Sequence, residues 1–287
     1  MRRLKFGAIV FLDALGFKGI WSRQDPISVL QQLKSLRHNG LSLRGRARAG
    51  VLLNDPRLLH HVICVSDTIM VAVTLTRSNI PQRYLYRAML SASLIASTMI
   101  DNAIHGCPSL LFRGCMAAGL MMVDGDFVIG PAVDEAAELF ELSEGAFFWM
   151  APSAMKINDT HCENFVDRIE PNLMIRYPVP LKDRAAPITL VFNYFGLTRP
   201  VAGWTTTCQK ILQAFGDENV RGNIKEKRQN MVTFLDHVTR VRVRKVGKVG
   251  TLFTMFTSSR KNLRHHSRPD TLIPLQSLSL FGPGWAE

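Results

Sequence analysis

Two apolar runs, Leu58 to Val65 and Thr68 to Leu75, are separated by nothing but Ser66 and Asp67. Runs of this length, rich in Val, Ile and Leu, read as strands, and a two-residue gap leaves room only for a tight hairpin turn. A third run, Phe6 to Leu12, is equally apolar and β-branched. It breaks at Asp13-Ala14-Leu15-Gly16-Phe17, ahead of a helix-length stretch expected to begin near Lys18. With the hairpin folded antiparallel beside this first strand, its tip carries Asp67 toward Asp13.

A carboxylate that ends a buried strand has a desolvation cost to meet, and a divalent cation shared by two such groups meets it. Asp13 and Asp67 are therefore the candidate metal ligands. In a strand-to-helix turn the amides of residues 14 to 17 are left at a positive helix end, and Gly16 lets a ligand come close, which points to phosphate binding at Leu15, Gly16 and Phe17. Taken singly, either aspartate is an ordinary turn residue or helix N-cap. The matching frames give the pair its weight.

A further segment extends the pattern. Leu111 to Met122 reads as a strand, Asp124-Gly125-Asp126 as a hairpin turn, and Phe127 to Gly130 as its return, before a helix from about Pro131 to Leu142. This ordered set, with Asp-x-x-Gly-Phe at 13 to 17, Ser66-Asp67, a strand reaching Gly119, and Ile129-Gly130-x-x-Val133-x-x-Ala136-Ala137-x-Leu139, resembles the class III nucleotidyl cyclase catalytic domain. More narrowly, Arg113-Gly114, the run Phe127 to Ala136 and Tyr177-Pro-Val-Pro-Leu-Lys182 resemble the bacterial pyrimidine cyclases of the Pycsar anti-phage system. The resemblance spans residues 5 to 195.

It implies an α+β fold with a ferredoxin-like βαββαβ core, and a C-terminal helical extension lies beyond it. It also implies two Mn²⁺ or Mg²⁺ ions per site on Asp13, Asp67 and the Ala14 carbonyl, with Lys182 placed to neutralise phosphate. The implied activity is conversion of UTP, or else CTP, to a 3′,5′-cyclic monophosphate and pyrophosphate, the product being a second messenger of antiviral defence. Because pockets in this family lie between two domains that supply complementary halves, a chain with one such unit is expected to form a homodimer with its sites at the interface.

Departures from the family pattern sharpen and complicate this. The lysine that helps read adenine falls at Ile63, and the corresponding aspartate at Phe127. A base pocket lined by these two side chains lacks the polar readers of a purine, whereas a smaller pyrimidine could be enclosed by them. The transition-state asparagine and arginine of the family fall at Asp134 and Glu138, where acids repel a triphosphate. Arg113, Lys18 and the arginines at 44, 46 and 48 are candidates for the missing cation. Those acids also leave open a non-catalytic cyclase-like module that binds nucleotide or a partner.

The net charge of +12 raises nucleic acid as a partner. Nine of the cations lie between Arg240 and Arg268 with no acid among them, but only Phe253 and Phe256 offer stacking there. That stretch reads as a solvated, flexible tail, and nucleic acid is not the expected partner. No apolar run is long enough to span a membrane, since Tyr84 to Ile104 contains Arg87 and Asp101. No signal peptide is recognisable either, so the expected location is the cytoplasm. Five cysteines without CxxC spacing suit reduced thiols.

The resulting organisation is a cyclase-like domain at 1–195, a helical extension at 196–243 and a basic tail at 244–287. In the extension, Cys208, Ile211, Leu212 and Phe215, then Met231, Phe234, Leu235 and Val238, mark two helices. Their apolar faces need either the first domain or a second copy of the chain to cover them.

Overall fold

The computed structural model describes residues 4–17, 20–22, 24–42, 55–77, 83–161, 173–182, 185–194, 201–215 and 222–246. Eight strands and six helices occur among them. They run β1 (Lys5–Ala14), a 3₁₀ turn (Ile20–Ser22), α1 (Pro26–Ser42), β2 (Leu58–Val65), β3 (Thr68–Leu75), α2 (Arg83–His105), β4 (Phe112–Asp124), β5 (Phe127–Ile129), α3 (Pro131–Leu139), β6 (Phe148–Met150), α4 (Pro152–His161), β7 (Met174–Pro178), β8 (Ile188–Phe192), α5 (Val201–Ala214) and α6 (Asn223–Val246).

The sheet order is β2-β3-β1-β4-β6-β8-β7, with β5 hairpinned onto the far end of β4. Its first four strands, in sequence β1-α1-β2-β3-α2-β4, are antiparallel and give the βαββαβ arrangement expected from the sequence. β6 then adds parallel to β4, with Gly114 opposite Phe148, and β8 and β7 complete the edge antiparallel. The fold is α+β.

Central strands carry the core because both faces are covered. From Gly7 to Leu12 every residue of β1 is buried. On one face α2 presents Ala88, Ala92, Ala96 and Ala103 among Met89, Ile95, Met99 and Ile100, and these small side chains let the helix lie close to the sheet. Two of its buried hydroxyls are paired, Ser91 Oγ lying 2.7 Å from His60 Nε2 and Ser93 Oγ reaching Met116 Sδ at 3.6 Å, whereas the buried Ser97 hydroxyl has no partner among the described residues. On the other face α3 crosses β4 and β1, with Cys115 Sγ donating to the Ala136 carbonyl at 3.4 Å and the Phe11 and Phe140 rings 5.5 Å apart.

The helix after β1 does not begin near Lys18. It begins at Pro26, where Asp25 Oδ2 accepts from both the Ser28 amide (2.9 Å) and hydroxyl (2.8 Å), and proline occupies the first helical position. The helix then runs on to Ser42.

The covering surface for the two C-terminal helices is the first domain itself. Phe234 of α6 makes edge contacts with Phe147 at 5.3 Å and Tyr177 at 4.8 Å, and lies 6.2 Å from Tyr194, whose hydroxyl donates to the Ala146 carbonyl. Trp204 of α5 is fully buried and donates to Thr239 Oγ1 at 3.1 Å. The compact unit accordingly runs from Met1 to Arg240; a second runs from Val241 to Glu287, of which only the end of α6 is described. Most of the basic tail lies outside the described residues.

Cys115 and Cys208 are buried free thiols, their ionisation pushed upward by burial, whereas Cys107 is exposed. No helix among the described residues is long and apolar enough to cross a membrane.

Candidate functional site

The β2–β3 turn sets the position of Asp67. Ser66 takes a left-handed φ of 56°, as the first central residue of a type II′ hairpin turn does, although it has a side chain. A non-glycine residue held there costs on the order of 1 kcal/mol, so its surroundings fix it. One such contact is direct: the Ala14 amide donates to the Asp67 carbonyl at 3.1 Å, tying the hairpin tip to the end of β1.

Asp13 stands opposite Thr68 on β3 and opposite Arg113 on β4. Arg113 Nε and Nη2 both reach Asp13 Oδ2 at 3.0 Å, and Nη1 donates to the Glu141 carbonyl at 2.8 Å. Burial pushes the Asp13 carboxyl above the usual aspartate value; Arg113 opposes this, and the charges of Asp67 and Glu141 add to it. The two aspartates of the sequence reading are thus electrostatic neighbours at one end of the sheet.

These residues fit a small hard cation. No group of three or more His, Cys, Asp or Glu suited to a metal occurs among the described residues. Mg²⁺ ordinarily needs only one or two carboxylates, with water and substrate phosphate filling the rest of its shell. Arg113 engages only Oδ2, which leaves Asp13 Oδ1 and the Asp67 carboxylate as donors beside the Ala14 backbone. A cation between them would offset the burial cost that chiefly raises Asp13 and the smaller repulsion from Asp67.

The phosphate turn is partly corrected. The Leu15 amide is spent on the Leu111 carbonyl at 2.8 Å, and that of Ala14 on Asp67, so these two are not free for an anion. Backbone pairing at the strand end claims them before any helix begins. At Gly16, with φ 71°, a Cβ would meet none of the described residues within 4 Å. Phe17 is buried against the core.

Ile63 is buried on β2, opposite Met70, which in turn faces Phe11, on the same sheet face as Asp13. Phe127 is elsewhere. It is 79 % exposed on β5, opposite Asp124, on the order of 35 Å along β4 from Arg113. One chain does not bring the two expected base-pocket residues together.

Asp134 is exposed in the first turn of α3, where acids complement a helix N-terminus. Glu135, between the two unexpected acids, accepts from the Ser153 amide at 3.0 Å at the start of α4. Of the candidate cations, Arg113 is in the site, while Lys18, Arg44, Arg46 and Arg48 lie outside the described residues.

Lys182 follows the bridge between Ser143 and Leu181, its amide donating to the Leu142 carbonyl at 2.8 Å. This hairpin-like contact delivers it to the loop that also holds Glu141. Sequence reading missed Lys227 of α6, whose ammonium lies within the fields of Glu144, Arg113, Lys182 and Asp13.

No protein-family model and no curated protein sequence matches the chain. Among solved structures, it is similar to the catalytic core of a rhodopsin-guanylyl cyclase with converted specificity in complex with ATPαS (16 % identity, TM-score 0.42), covering 66 % of this chain and 94 % of that one. It is also similar to the adenylyl cyclase CyaB from P. aeruginosa (14 %, TM-score 0.44; 67 % and 94 % covered). A third is an adenylate/guanylate cyclase/hydrolase from Silicibacter pomeroyi (16 %, TM-score 0.36; 67 % and 96 %). At such identities and TM-scores these likenesses fix neither activity nor substrate.

Proposed function

We propose that this protein is a nucleotide cyclase acting on a pyrimidine nucleoside triphosphate, UTP in preference to CTP. The observation that carries the reading is the Asp13–Asp67 pair, brought to one sheet end by β1 and the β2–β3 turn and pinned by the Ala14 to Asp67 backbone bond. The family motifs in the sequence supply the rest.

In the reaction the ribose 3′-oxygen attacks the α-phosphorus of the same nucleotide. The 3′-O–P bond forms, the bond to the β-phosphate bridging oxygen breaks, and pyrophosphate and the hydroxyl proton leave. Two Mg²⁺ or Mn²⁺ ions, when bound, would supply the acidity of the 3′-hydroxyl and the charge that offsets pyrophosphate. Asp13 and Asp67 would hold them, and Arg113 fixes the Asp13 rotamer. The turn at Gly16 admits the triphosphate, and Lys182 offsets part of its charge. Cyclisation asks little more than positioning and charge compensation.

The distance of Phe127 from Asp13 within one chain favours a homodimer, in which β5 of one copy lines the base pocket of the other beside Ile63. A cytoplasmic signalling role in anti-phage defence, with the cyclic product acting on a separate effector, completes the proposal. The test is incubation with ATP, GTP, CTP and UTP separately in Mn²⁺, with products resolved by mass spectrometry. Cyclic UMP as the main product supports the reading; cyclic AMP or cyclic GMP as the main product contradicts the pyrimidine assignment.

A further inference from the structure

The site described so far holds four acids, Asp13, Asp67, Glu141 and Glu144, and a nucleoside triphosphate brings further negative charge. The helix α3 offers acids where a cation would help. The compensating charge has to come from another element, and α6 reaches the site.

The placement of α6 follows from its contacts. Met231, Phe234, Leu235 and Val238 are buried, and Phe234 is clamped by Phe147 and Tyr177. One turn before Phe234, Asn230 Nδ2 donates to the Glu144 carbonyl at 2.8 Å, in the loop whose Glu141 carbonyl holds Arg113. Lys227 precedes Asn230 by three residues and Met231 by four. It therefore continues the inward stripe one turn further toward the helix start. The same loop is tied to the Lys182 segment by the Glu144 amide, which donates to the Pro180 carbonyl at 2.9 Å, and by the Lys182 amide on Leu142.

Lys227 is accordingly half-buried at the site rather than solvated, and burial, with Arg113 and Lys182 nearby, lowers its ammonium pKa, while Glu144 and Asp13 oppose that shift. Three cations from three distant stretches of chain, Arg113, Lys182 and Lys227, thus lie near one another on the Asp13 side of the site, and among the described residues neither lysine is held in an ion pair. The four acids offset these charges, and ammonium groups not held in ion pairs are able to turn to a phosphate received there.

We propose that Lys227, delivered by the C-terminal helix α6, is a phosphate-binding residue of the site, receiving the β- and γ-phosphates of a nucleoside triphosphate together with Lys182. This rests on the cyclase reading for the identity of the ligand, and on the geometry of α6 for the site. It makes the C-terminal extension part of the active site.

The test measures binding of inorganic tripolyphosphate, without metal, by titration calorimetry, alongside kcat and KM for UTP. Lys227→Met keeps the aliphatic stem and removes the charge. Lys227→Gln is a second neutral variant in case methionine disturbs the fold, Lys227→Arg restores the charge, and Lys225→Met removes an exposed charge from the same helix. The expected result is at least tenfold weaker tripolyphosphate binding and a matching rise in KM for the neutral Lys227 variants. Lys227→Arg should stay within threefold of the wild type and Lys225→Met within twofold. Absence of tripolyphosphate binding to the wild type overturns the proposal. So does a folded neutral Lys227 variant that binds within twofold of the wild type, or an equal loss in Lys225→Met. If no nucleotide is cyclised yet tripolyphosphate binding falls with Lys227, the cyclase reading fails and the phosphate site stands.

Discussion

Arg113 and Asp13 face each other across the β1–β4 ladder, and the guanidinium grips a single carboxylate oxygen, Oδ2, through both Nε and Nη2. With side chains only 11 % and 14 % exposed, the pair is close to the interior, and removing one partner leaves the other buried and uncompensated. Arg113→Met is expected to cost about 3 kcal/mol in urea denaturation, and the double variant with Asp13→Asn to recover most of it. Equal losses in the single and double variants would show that the two side chains do not depend on each other.

Gly114 and Gly16 make opposite predictions. A Cβ at Gly114 would lie 1.9 Å from the Phe11 carbonyl oxygen, a backbone atom that cannot yield. Gly114→Ala should destabilise by about 3 kcal/mol or abolish folding. At Gly16 a Cβ meets none of the described residues, so Gly16→Ala should cost only about 1 kcal/mol, from its left-handed φ. Thermal melts of the two variants side by side check the contrast.

Ser66→Gly should stabilise the protein by up to about 1 kcal/mol, because the left-handed backbone at this position is strained for serine and not for glycine. A lower melting temperature would mean that the serine side chain contributes more than its strain costs.

The pH dependence of stability should carry a contribution from His61. Burial, and to a lesser degree the charge of Lys5, lower its pKa below the ordinary histidine value. The unfolded chain therefore binds the proton more readily, and the stability from this group is complete above the ordinary value and lost as pH falls through the window below it. Wild type should lose stability between about pH 7 and pH 5 more steeply than His61→Gln, as read from urea midpoints. Parallel profiles would remove His61 as the cause.

Phe234→Ala should cost about 3 to 5 kcal/mol, since the ring fills the space between Phe147 and Tyr177. If the helix loosens with it, tripolyphosphate affinity should fall in the same variant, although Phe234 itself touches no ligand.

What the sequence made legible follows from how local each signal is. The β2–β3 hairpin was readable because two residues between two apolar runs allow a single geometry, and the observed strands end where those runs end. The start of α1 lies later than expected because it is fixed by a short local signal, the Asp25 cap on Ser28 followed by Pro26 in the first turn. Strands β6 to β8 run three to five residues, too short for a period of two to stand out. The expected base-pocket pair failed to meet in one chain because Ile63 lies on β2 toward the Asp13 end of the sheet, while Phe127 lies on β5 at the far end of β4. Lys227 carried no local mark at all: its relation to Asp13 exists only once Phe234 and Asn230 have docked α6.

The central claim is that Asp13 and Asp67 together hold the metal for cyclisation. It is tested most directly by the rate of cyclic UMP formation from UTP in Mn²⁺ by wild type, Asp13→Asn and Asp67→Asn, each shown to be folded by its melting curve. A loss of roughly a hundredfold or more in both variants, not recovered by raising the UTP concentration, is the predicted result. Cyclisation by either variant within tenfold of the wild-type rate would contradict it.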